Sequence, residues 1–87
     1  MPSYQAQVLV SLRASVLDPA GEAARAAANR LGVEGIQKLR IGKAIQLEID
    51  APDELIARKR VELLSERLLS NPVIEEWTME LSRLSSN

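Results

Sequence analysis

Apolar and polar residues alternate in four short segments of the chain, which is the period-two pattern of half-buried β-strands. The segments cover residues 4–12, 36–41, 44–49 and 73–81. The second and third are separated by Gly42 and Lys43 alone, a two-residue connection typical of a tight β-hairpin. The pattern therefore predicts four strands, of which the middle two form a hairpin with apolar residues on matching faces. Those residues are Leu39 and Ile41 in one strand and Ile45, Leu47 and Ile49 in the other.

Two helices are predicted between the strands. Asp18 is a good N-cap and Pro19 suits the first helical position, while Gly32 is a natural C-cap for the same helix. The second helix begins near Asp53 and runs to about Leu69. Each helix carries one apolar stripe at helical spacing. The stripes consist of Ala20, Ala24, Ala27 and Leu31 in the first helix, and of Ala57, Val61, Leu64 and Leu68 in the second.

The order β-α-β-β-α-β predicts an α+β fold, a ferredoxin-like two-layer sandwich. It would contain a four-stranded antiparallel sheet with both helices on one face. A chain of 87 residues forms one domain, here residues 1–87, ordered over about 3–82 and frayed over 82–87. The other sheet face is left open, as solvent surface or as a polar subunit interface. It would be lined by Gln5, Gln7, Leu9, Lys38, Arg40, Gln46, Glu48, Glu76, Thr78 and Glu80.

Charge and composition exclude several classes of function. The 11 basic residues are balanced by 12 acidic ones, so the surplus of cations needed for phosphate-backbone binding is missing. The sequence lacks apolar runs of transmembrane length and a secretory signal, which predicts a cytoplasmic protein. The chain contains no Phe, one Tyr and one Trp, so its core must consist mostly of smaller side chains. Because small side chains bury little area, burial against another subunit is an attractive source of stability.

The residues of enzyme active sites are also missing. The chain has no His and no Cys, which removes the usual general base, the thiol nucleophile and the commonest metal ligands. Glu75 and Glu76 are neighbours on a strand and point to opposite faces, so they do not form a catalytic pair. Tyr4 and Trp77 lie on the predicted core side, which argues against an RNA-binding sheet. The cationic run 58–60 is interpreted as a solvated helix face.

Three stretches, at this order and spacing, resemble the PurS family, the small subunit of bacterial and archaeal phosphoribosylformylglycinamidine synthase. They are VLDPAG at 16–21, LRIGK at 39–43 and NPVIEEW at 71–77, and the opening VLVSLR at 8–13 also fits. The similarity covers residues 4–81. The sequence departs from the family at Ala20, where Gln is usual, and at Trp77, where Tyr is frequent.

The resemblance implies a function that composition does not reveal. Members of the family join an ATP-dependent synthetase subunit and a glutaminase subunit in a glutamine-dependent carbon–nitrogen ligase of purine biosynthesis. The small subunit is expected to be a dimer that bridges the two enzymes without supplying catalytic residues, and assistance in ammonia transfer is a candidate role. No cofactor is expected in this chain, and ATP and magnesium are expected in the synthetase subunit.

Seven residues are candidates for the partner interface. They are Arg13, Asp18, Arg40, Lys43, Asn71, Pro72 and Glu75. Each also has a purely structural interpretation, because the cations can be solvated, Asp18 can be only a cap, and residues 71–75 can be only a turn. A different class of function, a stand-alone dimer that senses a small ligand, shares the same element order and stays open on the fold alone.

Overall fold

The computed structural model describes residues 1–84. Three strands and two helices follow one another as β-α-β-α-β, and the second helix ends in a short π-helical turn. The elements are β1 (Ser3–Leu12), α1 (Pro19–Arg30), β2 (Lys43–Asp50), α2 (Glu54–Leu64) with its π turn (Ser65–Leu69), and β3 (Glu75–Arg83). None of the helices in this part of the chain is long and apolar enough to cross a membrane.

The strands form one antiparallel sheet in the order β2-β1-β3. Val8 in the central strand lies opposite Ile45 on one side and Met79 on the other, so apolar positions of all three strands share one face. We call this the inner face. Its centre is fully buried at Ala6, Val8 and Val10. The opposite, outer face carries eight of the residues predicted to line it, all polar except Leu9: Gln5, Gln7, Leu9, Gln46, Glu48, Glu76, Thr78 and Glu80.

The predicted four-stranded sheet is wrong for the single chain, because residues 36–41 form no strand. A two-residue turn at Gly42 and Lys43 would pair Ile41 with Ala44. Since side chains alternate between faces, Leu39 and Ile41 would then lie on the outer face, away from Ile45. The hairpin therefore conflicts with the apolar pattern. Lys38 and Arg40 accordingly lie outside the sheet, in a connector of residues 31–42 between α1 and β2.

α2 covers part of the inner face. Ala57 and Val61 are fully buried, as the predicted stripe requires. Leu68 is 73% exposed, contrary to the prediction, and Leu69 packs against the core instead. The cause is the π turn, in which the amide of Ser70 donates to the carbonyl of Ser65 at 3.1 Å. This wider turn inserts an extra residue and moves the apolar face by one position.

α1 does not pack on the sheet, contrary to the prediction that both helices cover one face. Only Gly21 of this helix is buried, and Leu31 at its end is 83% exposed. Together with the connector, α1 projects as an arm of residues 13–42. The Cα radius of gyration is 16.9 Å, and the principal extents are 51 × 31 × 14 Å. A compact chain of this length would have a radius of about 12 Å, so the protomer is unusually extended.

The two ends of the described chain lie side by side. β3 continues through Arg83, and the amide of Leu84 donates to the carbonyl of Ser3 at 2.9 Å. The strand thus extends beyond residue 81, where the sequence pattern ended it. The remainder of the segment predicted to fray, residues 85–87, lies outside the described residues.

Candidate functional site

The three motif stretches meet at one end of the sheet, which we call the motif end. β1 ends there while β2 and β3 begin, because Val10 lies opposite Lys43 and Leu12 lies opposite Glu75. Antiparallel pairing of the central strand with both neighbours produces this convergence. All seven candidate residues lie at this end, although they come from positions as far apart as 13 and 75.

Asp18 is more than a helix cap. Its carboxylate accepts from the amide of Gly21 at 3.0 Å, as a capping residue does, and from the amide of Ile41 at 2.8 Å. These two amides, first that of Ile41, together with the nearby Arg40 guanidinium hold the pKa of Asp18 below its usual 3.8, against the opposing effect of desolvation. The residue therefore joins the start of α1 to the end of the connector.

Arg40 joins the connector to residues 12–16, the segment that precedes α1. Its guanidinium donates to the carbonyls of Val16 at 2.9 Å, Leu12 at 3.2 Å and Arg13 at 2.7 Å. Three main-chain carbonyls thus accept from the cation, which is bound within the chain rather than simply solvated. Its planar group with five donors is well suited to bind several oxygens at once.

The glycine in the first turn of α1 explains why the connector lies so close. A Cβ at Gly21 would overlap the carbonyl oxygen of Leu39 and would lie 2.9 Å from the Asp18 carboxylate. The φ of Gly21 is not positive, so close approach requires glycine here. Sequence reasoning missed this contact, although a glycine inside the first helical turn was a signal for it.

Arg13 is hydrogen-bonded to the turn that precedes β3. Its guanidinium donates to the carbonyl of Pro72 at 2.7 Å, and the backbone amide of Arg13 donates to the carbonyl of Ile74 at 2.8 Å. Within the turn, the amide of Asn71 donates to the Glu75 carboxylate at 2.7 Å. These contacts stabilise the turn and connect it to the motif end through Arg13.

Lys43 is an accessible charged candidate at the motif end. Its Nζ donates to the carbonyl of Leu69 at 3.3 Å and lies 3.9 Å from the Glu75 carboxylate, while the side chain remains 56% exposed. Beside it, a groove of about 600 Å³ crosses onto the outer face. The groove is lined by Leu9, Val10, Ser11, Gly42, Lys43, Ala44, Glu76, Trp77 and Thr78.

The candidate residues at the motif end include few groups suited to catalysis. Glu75 points to the inner side and Glu76 to the outer side, which confirms that the two carboxylates do not pair. Within residues 1–84, no three acidic, His or Cys side chains lie together as a metal site would require. The arrangement is instead a framework in which charged side chains fix main-chain segments beside an open groove.

One side-chain contact outside the candidates was not predicted from the sequence. The indole Nε1 of Trp77 donates to the Glu66 carboxylate at 2.7 Å, which joins β3 to the π turn. Glu66 lies in the π turn, which changes the direction of its side chain relative to an ordinary helix. The 3.6-residue period of an α-helix therefore does not predict its contact with Trp77.

Comparison with known proteins agrees with this geometry. The family model described as Phosphoribosylformylglycinamidine (FGAM) synthase, PurS, matches residues 5–83. The chain belongs to the PurS family. The resemblance drawn from the three motifs is thereby confirmed.

PurS proteins of known sequence and structure are similar over almost the whole chain. The PurS subunit of Synechocystis is 43% identical over 82 residues, which is 94% of this chain and 82% of the relative. PurS of Thermus thermophilus superposes with a TM-score of 0.85 at 33% identity, covering 97% of this chain and all of that one. A chain in the structure of PurLQS from Thermotoga maritima gives 0.84 at 36% identity, covering 97% and 100%.

Proposed function

We propose that this member of the PurS family is the non-catalytic assembly subunit of phosphoribosylformylglycinamidine synthase in purine biosynthesis, and that it bridges the ATP-dependent synthetase and the glutaminase. The observation that carries the proposal is the likeness, at a TM-score of 0.84, to a chain of the PurLQS structure. A framework of charged side chains that bind main-chain atoms supports a binding role rather than a catalytic one.

Reconstitution of the three subunits tests the proposal. Product formation is measured with glutamine and, separately, with ammonia as the nitrogen donor, each with and without this chain. Bridging and a role in ammonia transfer predict that only the glutamine-dependent reaction requires the chain. Turnover that is indifferent to the chain would refute the proposal. Saturable thermal stabilisation of the chain alone by one amino acid would then favour the ligand-sensing alternative.

We propose that the partner subunits bind at the motif end, with Lys43 as the direct contact. Arg13, Asp18 and Arg40 use their polar atoms within the chain, so they shape this surface rather than reach across it. Lys43→Glu is expected to lower glutamine-dependent turnover and to weaken complex formation. Lys59→Glu, on an exposed position of α2, is the matched control and is expected to change neither. Equal effects of the two variants would remove Lys43 from the interface.

We propose that ATP and magnesium bind in the synthetase subunit and that this chain binds no cofactor. Thermal unfolding of the isolated chain is then expected to be unaffected by magnesium and ATP, because a ligand that binds the native state raises its melting temperature. A saturable increase would contradict the assignment. We also propose a cytoplasmic location, because the proposed function belongs to purine biosynthesis. Cell fractionation tests this location.

We propose that the chain functions as a homodimer and that the ferredoxin-like, four-stranded arrangement is completed only in that dimer. The single chain supports this in one respect, since the backbone amides of residues 34–40 donate no backbone hydrogen bond within the described part of the chain. Amide hydrogen exchange tests the idea directly. Protection of residues 36–40 is expected in the dimer, and unprotected amides there would contradict a fourth strand; Ile41 is left out because its amide already donates to Asp18.

A further inference from the structure

Three hollows follow the central strand along the outer face of the sheet. From the motif end to the start of β1, they measure about 600, 290 and 460 Å³. Neighbouring hollows share lining residues, which are Leu9 and Thr78 for the first two and Gln7 and Glu80 for the last two. The hollows therefore form one continuous depression, which we call the trough. It is bounded by parts of residues 5–11, 42–46 and 76–82.

The trough has a small apolar floor. Leu9 is 51% exposed in β1 and lies opposite Ala44 of β2 and Thr78 of β3. Because both of these neighbours are short, they leave the space above Leu9 open. An apolar group of a binding partner would be buried favourably against this floor.

The acidic residues of the outer face have no basic counterparts there. Four outward-facing strand positions are acidic, namely Glu48 and Asp50 in β2 and Glu76 and Glu80 in β3. No Lys or Arg occupies an outward-facing position of the three strands, all of which belong to the described residues. Opposite-charge pairs across neighbouring strands, which stabilise a solvated sheet, are therefore missing. Since the whole chain has 12 acidic and 11 basic residues, this face differs in charge from the rest of the molecule.

The cations at the two ends of the face are engaged elsewhere. At the motif end, Lys43 lies 3.9 Å from the Glu75 carboxylate, and at the other end Arg60 donates to the main-chain carbonyl of Asp50 at 3.4 Å. The ion pairs within residues 1–84 involve none of the four acids of the outer face. A concave surface with charge of one sign concentrates its electric field and attracts groups of the opposite sign.

The sign of the charge selects the class of partner. Nucleic acids and anionic membranes carry charge of the same sign and would be repelled. A second copy of the chain, packed outer face on outer face, would place its own four acids against these four, and like charges at such distances are destabilising. No metal-binding group of three acidic residues is present in the described part of the chain. A protein surface that carries Arg or Lys side chains is the partner with complementary charge.

The size of the face determines how much it can contribute alone. Three strands about 4.8 Å apart, each about ten residues long at about 3.4 Å per residue, cover about 500 Å². A protein–protein interface of standard size buries about 800 Å² on each partner. The outer face is therefore expected to extend another contact rather than to form a stable one by itself. The motif end provides that contact, because the first hollow of the trough opens beside Lys43.

We propose that the trough binds a cationic segment of one enzyme subunit of the synthase, whose Arg or Lys side chains are attracted by the acidic residues and whose apolar side chain packs on Leu9. This inference deepens the proposed function and rests on it, because it assigns the chemistry of the partner surface that continues from the motif end. Electrostatic attraction of this kind acts mainly on the rate of association, whereas the loss of a buried anchor acts mainly on the rate of dissociation.

Binding kinetics test the trough. The synthetase and the glutaminase are immobilised in turn, and this chain is passed over each of them with and without the other enzyme in solution. Glu80→Lys is expected to slow association with one of the two enzymes about tenfold at low salt. The difference is expected to shrink in about 1 M salt, where the screening length is only about 3 Å. Glu62→Lys makes the same charge change at an exposed position of α2, away from the trough, and is expected to associate nearly as fast as the wild type.

A second variant separates the apolar floor from the acidic residues. Leu9→Ala is expected to speed dissociation at both salt concentrations while the association rate stays unchanged, because it removes an anchor and no charge. Thr78→Lys places a long cationic side chain beside Leu9 and is expected to weaken binding as Glu80→Lys does. It replaces Glu80→Lys if thermal unfolding shows that Glu80→Lys is not folded.

Each outcome decides the question. Equal effects of Glu80→Lys and Glu62→Lys, or wild-type association that does not depend on salt, would overturn the assignment of the trough. A change of oligomeric state in Glu80→Lys, measured by sedimentation, would assign the face to a contact between copies and would also overturn it. If the chain supports glutamine-dependent turnover while the trough variants bind as the wild type does, only this inference fails. If the wild type binds neither enzyme and turnover is indifferent to it, the proposed function fails as well.

Discussion

Replacement of Gly21 by alanine tests how the connector is held against α1. In an exposed helix interior this change stabilises a protein by about 1 kcal/mol, because alanine has the higher helix propensity. Here the new Cβ would overlap the carbonyl oxygen of Leu39. Overpacking of this kind costs about 1–3 kcal/mol. We place Gly21→Ala at the upper end of that range, since the overlapping atom belongs to the main chain.

The surrounding contacts prevent easy relief of the overlap. The connector is held directly after Leu39, by the Arg40 side chain and by Asp18 through the amide of Ile41. Subtracting the helix-propensity gain leaves a net destabilisation of about 2 kcal/mol, or about 8–16 °C in melting temperature for a domain of this size. The loss is limited by the free energy of releasing the connector, because complete release removes the overlap.

Thermal unfolding gives the net effect, and amide hydrogen exchange at Ile41 shows whether the connector is released. Ala26→Gly at an exposed position of α1 is the control, and it is expected to destabilise by about 1 kcal/mol through propensity alone. If Gly21→Ala raises the melting temperature, the close approach of the connector to α1 does not exist in solution and the reasoning fails.

Three further predictions concern the core, the motif end and the π turn. Val61→Ala, at a fully buried position, is expected to cost about 2 kcal/mol in chemical unfolding, and Val73→Ala, at an 81% exposed position, less than about 0.5 kcal/mol. Equal losses would refute the assigned core. Asp18→Asn is expected to lower the melting temperature most at neutral pH. Because the folded-state pKa of Asp18 is depressed below 3.8, its stabilisation is present above that value and lost as pH falls through the folded pKa. A difference between wild type and Asp18→Asn that does not shrink in acid would contradict this. Trp77→Phe and Glu66→Ala are expected to be non-additive in a double-mutant cycle, by about 1 kcal/mol, since each removes the same hydrogen bond. Strict additivity would show that the bond contributes nothing.

The sequence predicted those parts of the fold that depend on local patterns. The alternation in residues 4–12 and the cap formed by Asp18 and Pro19 appear in the structure as β1 and the start of α1. The family was also identified correctly from three short motifs, because each motif marks a helix start or a turn whose spacing the fold requires. The convergence of these motifs at the motif end, in contrast, became visible only in the strand pairing.

The failures arise where a local pattern competes with contacts that are distant in sequence. Residues 36–41 have the composition of a strand, but a two-residue turn would place their apolar side chains on the wrong face. Leu68 has the spacing expected for the apolar stripe of an α-helix, but the π turn brings Leu69 rather than Leu68 against the core. Arg40 was interpreted as a surface cation, whereas its three carbonyl partners belong to the segment after β1. Periodicity carries no information about turn geometry, helix type or main-chain partners of this kind.

The position of β1 at the centre of the sheet has a consequence for protein synthesis. β1 is the first strand to leave the ribosome, and β3, which pairs with it from Leu12 back to Tyr4, is the last. Until β3 has also emerged, the most apolar strand of the chain lacks one of its two neighbours and presents an open edge to other nascent chains. The complete sheet can form only once β3 is available, and pairing between such distant segments is intrinsically slow. Chaperone dependence and aggregation during expression therefore depend on how soon Glu75–Arg83 follow, although the strand at risk is the first of the three.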